Sequence, residues 1–203
     1  MNARLRVPGV EHDAVVLAGG RGERLGGHDK ALLEVGGRSL LAWVLDATSA
    51  TLTTVVVGAE RPGFGGVRWV SEEPAGGGPT AGIVAGLRAT DRRAPAPWVL
   101  VLAVDQPGAA VVVPRVLDAA AVAPKAADVL CPYDADGYPQ WLLAAYRREA
   151  LVRACAAVGT GHGVSVRRLV AGLHVVDVPG AAAGVGDVDT WADHRAWQER
   201  LDP

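Results

Sequence analysis

The chain has 203 residues, half of them apolar, a formal net charge of −2 and only two cysteines. That length and apolar content predict one domain with a sizeable core. The charge excludes broad attraction to nucleic acid or an anionic membrane, the longest apolar run, Trp98 to Val104, is far short of a membrane span, and two cysteines without zinc-type spacing make no disulfide framework.

Residues 1–12 read as a flexible N-terminal segment and 13–203 as the domain. The N-terminus is polar and lacks the apolar core of a signal peptide, which together with the cysteine usage fits a reduced cytoplasmic protein. Ala14–Leu17 reads as a buried strand. Ser39 caps a helix to about Ala50, with Leu40, Leu41, Val44 and Leu45 on one face. Strands follow at Thr53–Val57 and Val67–Val70. After a turn-rich loop, Pro79 or Thr80 opens a helix to about Arg88. Trp98–Val104 has the continuous apolar character of a central strand covered on both faces. Pro114 suits the first turn of a helix ending near Val122. Asp128–Cys131 and Trp141–Ala145 read as strands around an Asp134–Gly137 turn. Helices at Arg148–Ala157 and Ser165–Ala171, a strand at His174–Val178 and a helix at Thr190–Arg200 complete the chain. This alternation predicts a mostly parallel, three-layer α/β sheet, with ligands at the C-terminal strand ends.

Directly after the first strand comes Leu17-Ala18-Gly19-Gly20-Arg21-Gly22-Glu23-Arg24-Leu25-Gly26-Gly27-His28-Asp29-Lys30. Glycines let a backbone bend and approach phosphate oxygens closely, and the cationic side chains supply charge that a polyphosphate needs. The stretch therefore points to nucleoside triphosphate binding, against the plainer reading of a Gly-rich turn with solvated charges. It is not a dinucleotide fingerprint, because Leu25 stands where the third glycine belongs. Nor is it a Walker loop, because Lys30 follows Asp29 and precedes Ala31. The second feature is Asp105, at the end of the buried strand and before Gln106-Pro107. A carboxylate there suits a hard divalent cation, although an Asp can equally serve a turn. The third is Ser71 to Gly82, where three glycines precede a helix and can let the chain wrap a base or ribose.

The pattern L-A-G-G-x-x-x-R-(M/L)-G-x-x-D-K resembles the signature of the molybdenum cofactor guanylyltransferases, within the NTP-transferase, GT-A-like nucleotidyltransferases. Every position from Leu17 to Lys30 is met, with Leu25 where methionine is more usual. The resemblance implies a single three-layer α/β/α Rossmann-like domain of the nucleotide-diphospho-sugar transferase type. It implies transfer of GMP from GTP to phosphorylated molybdopterin, with release of pyrophosphate and Mg²⁺ as cofactor. It also implies transient contacts with other cofactor-biosynthesis or molybdoenzyme proteins. On this resemblance Arg24, Lys30 and Asp105 are catalytic. Leu17, Ala18, Gly19, Gly20, Lys30, Glu73, Gly78 and Asp105 bind nucleotide, and Asp105 binds metal.

The chain departs from the family in places. Glu73 replaces the usual Asp, and Glu72 and Glu73 also read as solvated loop charges. Gly58 stands where a nucleotide-contacting Asn can occur. Gly186-Asp187-Val188-Asp189-Thr190 resembles the family's turn before the last helix. Alternation puts Asp187 and Asp189 on one side of an extended segment, where they complete a metal shell or position the acceptor. Asp189 or Thr190 serves equally as a helix N-cap. Asp187 is assigned to metal, and Asp189, Gln140 and His162 to the acceptor side. Gly20 favours GTP by analogy, since cytidylyltransferase relatives usually read L-A-A-G. A cytidylyltransferase, a sugar-phosphate nucleotidyltransferase and a catalytically silent nucleotide-binding module remain the alternatives.

Overall fold

The computed structural model describes residues 9–20, 25–181 and 184–201. Its strands are β1 (His12–Leu17), β2 (Glu34–Val35), β3 (Arg38–Ser39), β4 (Thr54–Val57), β5 (Arg68–Val70), β6 (Trp98–Ala103), β7 (Val129–Cys131), β8 (Leu143–Arg147) and β9 (Val175–Asp177). Its helices are α1 (Leu40–Ala47), α2 (Pro79–Ala89), α3 (Ala109–Ala121), α4 (Arg148–Val158), α5 (Val166–Val170) and α6 (Trp191–Leu201). Seven strands form one sheet in the order β5-β4-β1-β6-β8-β7-β9. Every described pairing in it is parallel except those of β8, which runs antiparallel to both β6 and β7. This is the mostly parallel α/β sheet that the alternation predicts.

Period-two alternation divides the core into two layers. Val15, Val55, Val99 and Val101 pack with Ile83 and Leu87 of α2, Leu151 of α4 and Leu169 of α5. Ala14, Val16, Val56, Leu100 and Leu102 turn the other way, onto Leu41 and Val44 of α1 and Val112 and Val116 of α3. A smaller cluster docks α6 on the β2–β3 hairpin, joining Trp197 and Val188 to Val35 and Leu40. At the opposite end of the sheet, the buried Asp13 carboxylate pairs with Arg148 at 2.6 Å. The same guanidinium donates to the Ala96 carbonyl and the Thr90 hydroxyl, so the buried charge is answered by hydrogen bonds as well. Burial pushes the Cys131 thiol up to about 12 and that of Cys155 to about 11, which leaves both as inert apolar packing.

Several boundaries differ from the sequence reading; α1, for one, ends at Ala47 and not near Ala50, and three others bear on the packing. β1 starts at His12, within the segment read as N-terminal. α3 begins at Ala109, so Pro114 lies inside it and not in its first turn. Burial of Ala109, Val112 and Val113 holds that extra turn in the helix. Pro114 deprives the carbonyl four residues earlier, on Ala110, of a donor, and both residues are exposed to water. β8 runs two residues later than expected. Tyr138 and Gln140 are tied back to the Asp134 carboxylate in the preceding turn, and the ladder resumes at Leu143.

Gly86 fixes how closely α2 lies on the sheet. A Cβ there would stand 2.3 Å from Val15 Cγ1 and 3.0 Å from Val57 Cγ2, and Val15 is 0% exposed. Alanine is the better helix former by about 1 kcal/mol. Overpacking against two stiff, β-branched side chains costs about 1–3 kcal/mol and outweighs that gain. Gly86→Ala is therefore expected to lower the midpoint of urea unfolding. An unchanged or raised midpoint would mean that α2 can lift from β1 at no cost.

Candidate active site

The ends of β1, β4 and β6 and the start of α2 enclose a cleft of about 580 Å³. Leu17, Val57, Gly82 and Leu142 give it an apolar wall, while Lys30, Asp105 and Asp189 bring charge to the other side. An apolar surface with a few convergent polar groups suits a flat, partly polar ligand such as a nucleoside. α2 presents its N-terminus here. Gly78, with φ of 84°, precedes Pro79, and no side chain caps the helix. Uncapped N–H groups at such an end attract anions.

β1 runs into the glycine loop. The Ala18 N–H donates to the Val57 carbonyl at 2.8 Å, and Gly20 has φ of 148°. Gly19 and Gly20 line the cleft beside Leu17; Ala18 itself is buried. Arg24 lies outside the described residues. Farther along, Leu25 is buried and Asp29 accepts from the Ala31 N–H, capping a short 3₁₀ turn over Lys30–Leu32. That turn projects Lys30 into the cleft. Its ammonium donates to Asp105 at 2.8 Å and to Asp189 at 2.5 Å.

The three acidic residues assigned to metal or acceptor come together. The Val188 N–H donates to the Asp105 carbonyl, and the Val188 side chain is buried in the α6 cluster. With Val188 pointing in, Asp187 and Asp189 flank Asp105, and single oxygens of all three lie within 4.8 Å of one another. Such a set of hard oxygen donors fits a divalent cation such as Mg²⁺. The electrostatics agree. Burial alone would lower the Lys30 pKa, yet Asp105 and Asp189 hold it above the ordinary lysine value. Partial desolvation beside the cluster, reinforced by the charges of Asp105 and Asp189, raises the Asp187 pKa. Among the described residues these three carboxylates gather around the Lys30 ammonium, and an added cation would further relieve their mutual repulsion.

Other assigned residues are distributed differently. Glu73 faces a separate depression beside Arg68, Val84 and Arg88, whereas its neighbour Glu72 lines the cleft and accepts from the Gly76 N–H at 3.2 Å. Glu72 therefore replaces Glu73 as the acidic residue in reach of a cleft ligand, while Gly78 stays on the cleft wall. Gln140 is not on the main cleft. It lines an adjoining recess of about 370 Å³ with Asp134, Asp136, Arg200 and Asp187. Its amide nitrogen donates to Asp134 and to the Tyr138 carbonyl, which leaves its oxygen as the outward acceptor. His162 does not line that recess. It packs on the glycine loop before α2, where a Cβ on Gly77 would stand 3.0 Å from its Nδ1. Glu72 falls inside the Ser71–Gly82 stretch, where the sequence reads it as a solvated loop charge; nothing in the pattern marks Arg200 or Arg61, the last of which binds both oxygens of Asp29.

Fold and site together place a glycine loop, a helix N-terminus and a carboxylate–lysine cluster at one edge of an α/β sheet. Residues 14–177 match the MobA-like NTP transferase domain, and the chain belongs to that family. It is 40% identical over 112 residues to a molybdenum cofactor guanylyltransferase of Rhodopseudomonas palustris (strain BisB5), covering 50% of this chain and 52% of that one. A protein of the same name from Pseudomonas putida is 40% identical over 98 residues, or 46% and 49% of the two chains. The chain thus spans about half the length of the curated relatives it matches. Among solved structures, the molybdopterin-guanine dinucleotide biosynthesis protein A of Archaeoglobus fulgidus superposes with a TM-score of 0.68 at 24% identity, over 93% of this chain and 97% of that one. The 2-C-methyl-D-erythritol 4-phosphate cytidylyltransferase of Thermus thermophilus superposes with a TM-score of 0.69 at 21% identity, over 95% and 100%. These two likenesses show the fold.

Proposed function

We propose that the protein is a Mg²⁺-dependent nucleotidyltransferase that transfers GMP from GTP to phosphorylated molybdopterin, releasing pyrophosphate. The observation that carries this reading is the meeting of two recesses at one carboxylate cluster. Asp105 and Asp189 line the larger cleft, and Asp187 lines the smaller. Two substrates entering from either side meet there, which is what group transfer between them requires. The names of the guanylyltransferase relatives supply the choice of substrates.

In this reading the nucleoside lies along the apolar wall of the main cleft and the triphosphate against the glycine loop. A phosphate oxygen of the acceptor attacks the α-phosphorus in line. A new P–O bond forms, the bond between the α- and β-phosphates breaks, and pyrophosphate leaves with the electron pair. The attacking phosphate is already ionised at neutral pH, so no side chain need remove a proton. Lys30 turns from its carboxylates toward the leaving group and offsets its growing charge. Mg²⁺, held by Asp105 and Asp187 with Asp189 beside them, would supply Lewis-acid charge neutralisation. Gln140, on the acceptor side, offers its amide oxygen to an N–H or O–H of the second substrate.

GTP is expected to bind more tightly than ATP, CTP or UTP. Guanine carries adjacent N1–H and N2–H donors, which the Glu72 carboxylate and the carbonyls of the Gly76–Gly78 segment can accept. Adenine presents one donor and one acceptor there and leaves an acceptor unpaired. That costs about 1–3 kcal/mol, or roughly five- to 150-fold in affinity. Isothermal titration with the four nucleotides in Mg²⁺ buffer, followed by pyrophosphate release with molybdopterin, tests the reading. A preference for CTP would move the assignment to a cytidylyltransferase. Binding without pyrophosphate release on addition of the acceptor would make the protein a silent nucleotide-binding module.

A further inference from the structure

Arg61 lies in the loop after β4, outside every motif read from the sequence. Its side chain is only 11% exposed, and four of its five N–H donors meet acceptors in the loops around it. Nε and Nη2 donate to the two Asp29 oxygens at 2.7 and 2.8 Å. Nη2 also reaches the Ala18 carbonyl at 3.1 Å, and Nη1 donates to the Ala59 carbonyl at 2.9 Å. The guanidinium stands 5.9 Å from the Trp69 ring centroid, which supports it from β5. A second observation concerns Gly58 in the same loop. It has φ of 146°, and a Cβ there would stand 3.0 Å from the Ala18 carbonyl carbon and oxygen. Glycine thus lets this loop lie against the start of the glycine loop, within reach of the Arg61 fork.

We propose that Arg61 is a positioning residue that ties together the two ends of the glycine loop, Ala18 and Asp29, and through Asp29 sets where the Lys30 ammonium stands. The linkage is short. Asp29 receives the guanidinium and caps the 3₁₀ turn, and Lys30 is the first residue of that turn. Arg61 is absent from the lining of the main cleft, and each of its three nitrogens already has an acceptor. A two-pronged grip on nucleotide would require breaking some of these bonds. A lysine in its place keeps the charge but cannot hold both Asp29 oxygens and the Ala18 carbonyl at once.

This inference rests on reading the cleft as a nucleotidyltransferase site, and its test separates the two. Arg61→Lys, Asp29→Asn and the double variant are compared with the unaltered protein. Asn at position 29 keeps an oxygen to cap the turn. Amide hydrogen exchange, measured without nucleotide, is expected to quicken at residues 18–20 and 25–33 in all three variants. In pyrophosphate release, kcat is expected to fall about ten- to a hundredfold, as for a misplaced reacting group. The KM for GTP is expected to move less than about threefold, and the double variant to be no worse than the poorer single one. Unchanged exchange would overturn the clamp. Additive losses, or a raised KM with unchanged kcat, would place Arg61 on the nucleotide and overturn its positioning role. Absence of turnover in the unaltered protein would count against the nucleotidyltransferase reading alone, since exchange still decides the clamp.

Discussion

Asp105→Asn is expected to lower kcat for Mg²⁺-supported pyrophosphate release by at least about 10³, the upper range for loss of one preorganised charge-stabilising group. The amide keeps the side chain's volume and loses the charge that a hard cation requires. The fold should survive, because the link from this position to the last loop uses the Asp105 backbone carbonyl, accepting from Val188. Lys30 also keeps its second carboxylate, Asp189. The measurement is a Mg²⁺ titration of activity alongside a thermal melt. The expected result is a nearly unchanged melting temperature and lost turnover that added Mg²⁺ does not restore. Turnover within about tenfold of the unaltered protein, worth about 1.4 kcal/mol, would remove Asp105 as the metal anchor. A variant that no longer melts cooperatively would show instead that the carboxylate is needed for folding.

Lys30→Ala is expected to lower kcat by roughly 10²–10³ while raising the KM for GTP much less. Negative charge grows on the departing pyrophosphate, so an ammonium aimed there contributes most in the transition state. The resting arrangement adds a second readout. The Lys30 side chain is 16% exposed and lies between Asp105 and Asp189, where it screens the cluster. Removing it withdraws one positive charge from three carboxylates whose oxygens lie within 4.8 Å of one another. The variant should therefore gain more thermal stability from added Mg²⁺ than the unaltered protein does. A raised KM with unchanged kcat would mean that Lys30 binds the ground state alone. Equal Mg²⁺ stabilisation of both proteins would mean that the ammonium does not screen the carboxylates.

What the sequence determined by itself is local. The run Trp98–Ala103 is apolar throughout because both faces of β6 are covered, and Asp105 follows, half-buried, beyond the strand end. The glycine-rich stretch after β1 and the Pro79 start of α2 are likewise readable, because glycine frees and proline fixes the backbone at its own position. Alternation alone placed Asp187 and Asp189 on one side of Val188. Only the tertiary structure decided what these groups meet. Lys30 contacts acids 75 and 159 residues away, and Arg61 reaches Asp29 across 32. Glu72 and Glu73 are adjacent and chemically alike, yet packing of the loop on α2 turns one into the cleft and the other away. The start of α3 and the register of β8 likewise follow from burial of Val112 and Val113 and from the Asp134 turn. Local patterns report on a residue's own backbone and the face it buries. The partner across the cleft is set by where strands and loops far apart in the chain are brought together, and no short window of residues carries that information.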